Sequence, residues 1–293
     1  MIIHTEGLTK RYGRRPALTG LDLDVPAGAL FGYLGPNGAG KTTTIRILAG
    51  LLRPTSGRAT VLGADVVRDR EEVQSRIGYL PGDFVAYPDL TAGDYLRYMR
   101  NLRGGVDPSN TARLAKRLDL DLGQVVGGMS HGNRQKVGIV QAFQHDPELL
   151  VLDEPTQGLD PLVQREFLAM LREARQAGKT VFLSSHVLSE VEAVADMIGI
   201  LREGRLAEVA LVAELKAKAL RRLDLTFEGE VPAERLRTVP GVTEVHANGA
   251  GVQMVVEGST AELFAVAAPY RITGVVSHEP DLEEIFLTYY GKA

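Results

Sequence analysis

Gly35-Pro36-Asn37-Gly38-Ala39-Gly40-Lys41-Thr42-Thr43 decides the fold, because it joins an apolar run to a helical one through a glycine-rich turn. The run before it, Ala29-Leu30-Phe31-Gly32-Tyr33-Leu34, reads as a strand, and the segment after it, Thr44-Ile45-Arg46-Ile47-Leu48, as helix. The pattern G-x-x-x-x-G-K-T in that setting is a phosphate-binding loop; a plain glycine-rich turn is the alternative, and the strand and helix on either side argue against it. Its glycines let the backbone curl so that successive N–H groups point at phosphate oxygens. The helix that follows aims the positive end of its dipole at the same place. Lys41 is then a mobile point charge for the β- and γ-phosphates, and Thr42 offers its hydroxyl to Mg²⁺.

Outward from the loop, the apolar runs Ile77-Gly78-Tyr79-Leu80, Leu149-Leu150-Val151-Leu152, Val181-Phe182-Leu183 and Ile198-Gly199-Ile200-Leu201 alternate with helical segments. That is the pattern of an α/β fold with a mainly parallel sheet. Leu21-Asp22-Leu23-Asp24-Val25 alternates apolar with acidic residues and reads as a half-exposed strand nearer the N-terminus. Thr91-Ala92-Gly93-Asp94 is a capping box opening a helix through about Leu102. Pro161 and Gly178 bracket a further helix, Leu162 to Ala177, and Glu203-Gly204 marks a hairpin turn.

The chemically loaded residues follow the apolar runs directly, where an open α/β sheet places its ligand. Asp153 is the first residue beyond Leu149–Leu152 and suits a direct or water-mediated Mg²⁺ role. Glu154, one position on, is placed to orient and polarise a water attacking the γ-phosphorus. A charged strand end stopped by Pro155 is the alternative reading, and the phosphate loop upstream argues against it. In Ser130-His131-Gly132-Asn133-Arg134-Gln135, Ser130 is a helix N-cap and Gly132 leaves room for close backbone approach.

Net charge is −4 over 293 residues, which gives no bulk electrostatic reason to bind nucleic acid. Lys10-Arg11-Tyr12-Gly13-Arg14-Arg15 is basic but short. With no cysteine, disulfides and thiolate metal sites are excluded. No stretch reaches the roughly 18 to 20 apolar residues that a bilayer span needs, so a membrane role is expected to be peripheral, through a partner, and for a subunit of the family named below that means the cytoplasmic face.

After about residue 220 the character changes. Leu223–Phe227, Val242–Val245, Val252–Val256 and Ile272–Ser277 read as strands, Ala233–Val239 and Thr260–Ala268 as helices, and Asp281–Tyr290 as a terminal helix. The order strand–helix–strand–strand–helix–strand resembles a ferredoxin-like α+β module. His246 and His278 lack a ligand cluster and read as surface histidines.

Taken together, residues 1 to 216 resemble the nucleotide-binding subunit of an ATP-binding cassette (ABC) transporter, with a helical insertion at about 84–145 and a separate module at 217–293. The resemblance implies an ABC-type P-loop ATPase core: a mainly parallel sheet, an antiparallel β subdomain and the helical insertion. It also implies ATP as substrate, Mg²⁺ as cofactor, and a homodimer that sandwiches two ATP head to tail. In that arrangement the Ser130–Gly132 helix end caps the γ-phosphate held by the other subunit. Asp160, in Gly158-Leu159-Asp160-Pro161, matches the residue that communicates between the two sites. His186, in Ser184-Ser185-His186, matches the switch histidine, and Tyr12 the aromatic that stacks on adenine. Where the family places glutamine, this chain has Gly82 in Tyr79-Leu80-Pro81-Gly82-Asp83, so Asp83 is a candidate to take part of that role, or the loop is purely a mechanical coupler. Phe84 and Tyr87 follow, in the neighbourhood that receives a short helix from the integral membrane permease; core packing is the competing account for them.

The C-terminal module and its ending, Asp281-Leu282-Glu283-Glu284-Ile285-Phe286-Leu287, resemble the drug- and antibiotic-export branch. The function implied is ATP hydrolysis driving export of a drug, antibiotic or other hydrophobic cargo. A soluble ATPase clamp on DNA or ribosomes is opposed by the short interval between phosphate loop and Ser130, and by the single cassette. A non-hydrolysing interaction module is opposed by the presence of Glu154 and His186.

Overall fold

The computed structural model describes residues 1–104, 107–218, 221–278 and 281–284. The chain forms two units, Met1–Ala210 and Leu211–Ala293. The helix α8 (Val212–Lys218) falls in the second unit, and its Val212 and Leu215 are buried.

In the first unit the N-terminal strands β1 (Ile3–Tyr12) and β2 (Arg15–Val25) pair antiparallel. Together with β4 (Ser56–Val61) and β5 (Ala64–Asp65) they make a four-stranded sheet of order β2-β1-β4-β5. The alternation in β2 turns Leu21, Leu23 and Val25 inward while Asp22 and Asp24 face solvent. These side chains share one core with Ile45, Ile47 and Leu48 of α1 (Lys41–Leu48) and with Phe31 and Tyr33 of β3 (Leu30–Leu34). The helix that leaves the phosphate loop is therefore clamped by an antiparallel layer on one side and a parallel one on the other.

That second layer is a sheet of order β10-β9-β3-β8-β7-β6. It comprises β6 (Ile77–Leu80), β7 (Leu149–Asp153), β8 (Thr180–Ser185), β9 (Met197–Arg202) and β10 (Arg205–Leu211) around β3. Strand β3 pairs parallel with both β8 and β9, and β7 with both β8 and β6. The registers Leu34 with Ser185, Asp153 with Ser184 and Leu80 with Leu152 bring the carboxyl ends of four strands into one row. Burial on both faces explains their unbroken apolar character: every residue of β3 and β8 is buried, and Phe31 stacks on Phe182 at 5.5 Å. Glu203 (φ 49°) and Gly204 (φ 74°) form the expected turn from β9 into β10, both in the left-handed region that a two-residue hairpin requires.

The helical insertion contains α3 (Ala92–Leu102), α4 (Pro108–Arg117) and α5 (His131–Phe143); α2 (Arg70–Arg76) precedes β6. Thr91 caps α3, accepting from the Asp94 N–H. Arg117 at the end of α4 is held by Glu166 and Glu173 of α6 (Pro161–Gln176), with Nε 2.6 Å from Glu166. The short helix α7 (Leu188–Val194) lies between β8 and β9.

Phe84 belongs to the interior of this insertion, which corrects its expected place at a docking surface. It is 7 % exposed, meets Tyr95 edge-on at 6.1 Å, and lies where a side chain at Gly138 would come within 2.8 Å of its ring. Tyr87, 55 % exposed, is the outward member, in edge contact with Tyr95 and Tyr98. An aromatic ring packed between helices is worth more to the fold than one half in water.

In the second unit β11 (Arg221–Phe227), α9 (Ala233–Arg237), β12 (Val242–Asn248), β13 (Gly251–Val256), α10 (Ala261–Ala267) and β14 (Ile272–His278) follow one another. The strand order β12-β13-β11-β14, antiparallel throughout, is that of a ferredoxin-like fold. Leu223, Leu225, Phe227, Val252, Met254 and Val256 form its core with Leu236 and Leu263 from the helices. Leu282–Glu284 are helical, and the remainder of the expected helix to Tyr290 lies outside the described residues. His278 sits 3.4 Å from Asp224, and among the described residues no cluster of acids and histidines could hold a metal by itself.

Phe84→Ala is expected to lower unfolding free energy by about 3 kcal/mol in urea titration, while Tyr87→Ala stays within roughly 1 kcal/mol of the parent. Equal losses from the two substitutions would contradict this division into interior and surface.

Candidate nucleotide-binding and hydrolysis site

The phosphate loop closes around the side chain of Lys41. Gly38 (φ 83°) and Gly40 (φ 113°) supply the left-handed backbone that the curl requires. A Cβ at Gly35 would come within 2.6 Å of the Leu201 carbonyl oxygen, so this position must also be bare. Lys41 is 6 % exposed; its ammonium donates to the Gly35 carbonyl at 2.6 Å and lies 3.4 Å from that of Pro36. Pro36, Asn37 and Thr42 are exposed at the rim, Ala39 is buried, and Thr43 is half-buried.

At the end of β7, Asp153 is 1 % exposed. Its Oδ1 accepts the Ser184 hydroxyl at 2.6 Å, and its Oδ2 is buried with no hydrogen-bond partner. An ionised oxygen buried without a partner is costly, so this one fits a cation. A side chain at Gly82 would begin 3.5 Å from the same oxygen, in ordinary contact. The glycine thus leaves open the space beside Asp153, and Asp83 is exposed.

Glu154 adopts φ 48°, which an ordinary side chain rarely takes. Its N–H is fixed by the Ser184 carbonyl at 3.2 Å and the Ser184 hydroxyl at 3.1 Å. The kink turns the carboxylate into the site. Oε2 accepts from His186 Nδ1 at 2.6 Å and from the His186 N–H at 3.2 Å. Oε1 makes an ion pair with Lys41 at 3.3 Å without hydrogen-bond geometry. Lys41, Glu154 and His186, far apart in the chain, therefore touch in series.

Ser130 caps α5, accepting the Asn133 N–H at 3.2 Å. Gly132 lies so close to the loop before α6 that a Cβ would come within 2.5 Å of the Gly158 carbonyl oxygen. Gly158 (φ 76°) is itself closed off by the His131 ring. Asp160 caps α6: Oδ1 accepts from Leu162 and Val163, both at 3.1 Å, and the Val163 bond leads in holding its carboxyl below the usual carboxylate range. Among the described residues, no hydrogen bond or ion pair joins Ser130 to Lys41, Glu154 or His186. Tyr12 stands at the end of β1, 50 % exposed, with the Lys10 ammonium 5.4 Å from its ring centre.

Three residues gain a place that sequence reading did not give them. Ser184 links Asp153 to Glu154; the signal was a polar residue at the buried end of a strand. Gln135, quoted within the Ser130 motif but given no role, is buried and bonds the Pro155 carbonyl at 3.0 Å. Glu190 of α7 accepts the Thr156 hydroxyl at 2.6 Å, and burial pushes its carboxyl up. No local pattern marked it.

A phosphate cradle, a carboxylate against its lysine and a separate capped helix are the parts of one known assembly. A family model described as ABC transporter matches residues 18–157. The bacitracin transport ATP-binding protein BcrA of Enterococcus faecalis is 35 % identical over 83 % of this chain and 80 % of its own length. The chain belongs to the ABC transporter family. As an ABC ATP-binding subunit it is an ATPase whose hydrolysis is coupled to transport, and its relatives place it in the drug-export branch. The linearmycin resistance ATP-binding protein LnrL of Bacillus subtilis (strain 168) is 29 % identical over 99 % of both chains. Among solved structures, the ATP-binding cassette MJ0796 shares the fold with a TM-score of 0.66. It is 23 % identical over 72 % of this chain and 98 % of its own, and was solved as a dimer in a post-hydrolysis state with ADP and Pi. Among the described residues no helix of this ABC subunit is long and apolar enough to cross a membrane.

Gly132→Ala drives a methyl into the Gly158 carbonyl and is expected to cost roughly 1–3 kcal/mol of stability in urea titration. A variant as stable as the parent would show that the α5 start and the loop before α6 part freely.

Proposed function

We propose that two copies of this chain close on two ATP molecules, each held between the phosphate loop of one copy and the Ser130–Gly132 helix end of the other. The observation that carries this reading is the contact series Lys41–Glu154–His186, which among the described residues has no hydrogen bond or ion pair to the Ser130 end of its own chain. A helix N-terminus free of its own site is suited to cap the γ-phosphate of another. The dimeric MJ0796 cassette supports such a pairing for the fold.

In this reading the N–H groups from Gly35 to Thr43 hold the phosphates, and Tyr12 stacks on adenine. Lys41 neutralises the β- and γ-phosphates, and Thr42 and Asp153 hold Mg²⁺, with Asp153 Oδ2 as the oxygen left for it. Mg²⁺, when bound, supplies positive charge that neutralises the phosphate oxygens. Glu154 orients the attacking water and polarises it, and His186 holds the Glu154 carboxylate and meets the γ-phosphate. Asp160 carries contact between the two sites. Asp83 is assigned to the loop that couples the site to the membrane partner, since Gly82 faces Asp153.

The partner in this reading is an integral membrane permease at the cytoplasmic face of the membrane, contacted through the exposed edge of Tyr87, Tyr98 and Val85. The cargo is a hydrophobic antibiotic or drug, a reading that the names of BcrA, for bacitracin transport, and LnrL, for linearmycin resistance, support. Nucleotide binding closes the dimer and hydrolysis reopens it, the γ-phosphate being the group that biases the two states.

Glu154→Gln keeps the shape of the site and removes its base, so phosphate release by the full chain is expected to fall about 10²- to 10⁴-fold with ATP affinity little changed. Hydrolysis at the parent rate would reject Glu154 as the water-polarising group. Tyr87→Ala with Tyr98→Ala is expected to reduce co-purification with the permease by roughly tenfold, as loss of aromatic anchors does at other interfaces, with nucleotide binding preserved. Undiminished co-purification would place the docking surface elsewhere.

A further inference from the structure

Gln135 is one turn beyond Ser130 on α5, is 1 % exposed, and leaves its helix toward the end of β7. Its Nε2 donates to the Pro155 carbonyl at 3.0 Å and lies 3.5 Å from that of Glu154. Its Oε1 is buried without a hydrogen-bond partner. A methionine of the same length would fill this space without the unpartnered Oε1 but would leave the Pro155 carbonyl without its donor, so packing alone does not account for the amide. What the amide adds is a donor held against two successive carbonyls.

Those carbonyls belong to the peptide units that set the direction of the Glu154 carboxylate. Glu154 has left-handed φ, a conformation that persists where neighbouring groups fix it. On the amino side Ser184 of β8 binds its N–H twice. On the carboxyl side the Gln157 N–H bonds the Glu154 carbonyl at 3.3 Å, the Thr156 hydroxyl bonds Glu190 of α7, and Gln135 holds the two carbonyls between. One side of the kink is thus anchored to the sheet, and the other to α7 through Thr156 and, through Gln135, to a helix whose first turn carries Ser130.

We infer that Gln135 is a positioning residue that ties the orientation of Glu154 to the placement of α5 in the same chain. The inference rests on the reading that the Ser130 end of α5 meets the nucleotide of the other copy. Engagement there settles α5, α5 carries the Gln135 amide, and the amide sets the peptides on either side of Pro155. Each active site thereby registers, through its own Glu154, whether its chain has capped the opposite one. This link runs through a side-chain amide and is separate from the backbone contact of Gly132 with Gly158.

The test uses the full chain with Gln135→Met, which removes the donor at constant length, and Gln135→Glu, which sets an acceptor against two acceptors. Steady-state phosphate release against ATP concentration is expected to show kcat lowered at least tenfold in Q135M and further in Q135E, with KM for ATP within twofold. In a double-mutant cycle with Ser130→Ala the two losses are expected to fall short of their product, because both interrupt one linkage. Parent-like kcat in Q135M, or strictly multiplicative losses, overturns the inference. Should Q135M not fold, Gln135→Asn, which draws the amide back by one methylene, replaces it and is expected to lose kcat at unchanged KM; parent-like kcat overturns here too. Amide hydrogen exchange over residues 154–158 is measured alongside, and is expected to be at least tenfold faster in the variant. A parent with no Glu154-dependent phosphate release would sink the hydrolysis reading, while unaltered exchange would sink this one.

Discussion

A lysine ammonium held almost entirely out of water must be surrounded by oxygen, and the rest of the site follows from how this chain meets that demand at Lys41. Its oxygens come from the Gly35 carbonyl, with the Pro36 carbonyl and the Glu154 carboxylate slightly further off. None of these is mobile at low cost, since the glycine loop is fixed by close approach to Ala17 and Leu201 and Glu154 by its kinked backbone. A γ-phosphate offers the same ammonium a stronger partner than a single carboxylate oxygen at 3.3 Å without hydrogen-bond geometry. In the proposed function, phosphate binding and release of Glu154 from Lys41 are one event.

The sheet makes that exchange possible by register. Leu34, Leu80, Asp153 and Ser185 end four parallel strands in a row, so residues more than a hundred positions apart arrive within hydrogen-bond reach without any dedicated contact between their loops. Ser184 shows how tightly the row is used. Its hydroxyl donates to Asp153 and accepts from the Glu154 N–H, so the carboxylate suited to a cation and the one suited to water are oriented by one side chain. The antiparallel layer contributes from the opposite side, where Leu18 and Ala17 press on Gly40 and keep the loop narrow.

What could be read from the sequence is what local chemistry dictates. The glycine pattern, the buried strands, the caps Thr91 and Ser130, and the turn Glu203-Gly204 each have a reason confined to a few neighbouring residues, and each stands in the structure. The alternation of strands and helices after residue 220 likewise contained the ferredoxin-like order. What could not be read depends on partners distant in the chain. Phe84 follows an exposed-looking loop in sequence, and only the approach of Gly138 and Tyr95 makes it interior. The φ of Glu154, the unpartnered Asp153 oxygen, and the reach of Gln135 and Glu190 arise from elements meeting, and no spacing announces them.

Separation within one chain is the last constraint. The group that would cap a phosphate and the group that would activate water lie on different elements, joined by packed backbone at Gly132 and Gly158 and by the Gln135 amide. In the proposed dimer, a site assembled from two such halves gains its full set of charges only when both copies are present, so hydrolysis is tied to closure without a separate sensor. The linking contacts suit this because each is short and unforgiving: a backbone oxygen against a bare Cα, and an amide between two carbonyls. Small displacements of α5 change them sharply, whereas the Lys41 loop, braced on both sheets, stays as it is. In the proposed reading the braced phosphate cradle is the fixed half of the site, and the α5 start is the half whose position carries information.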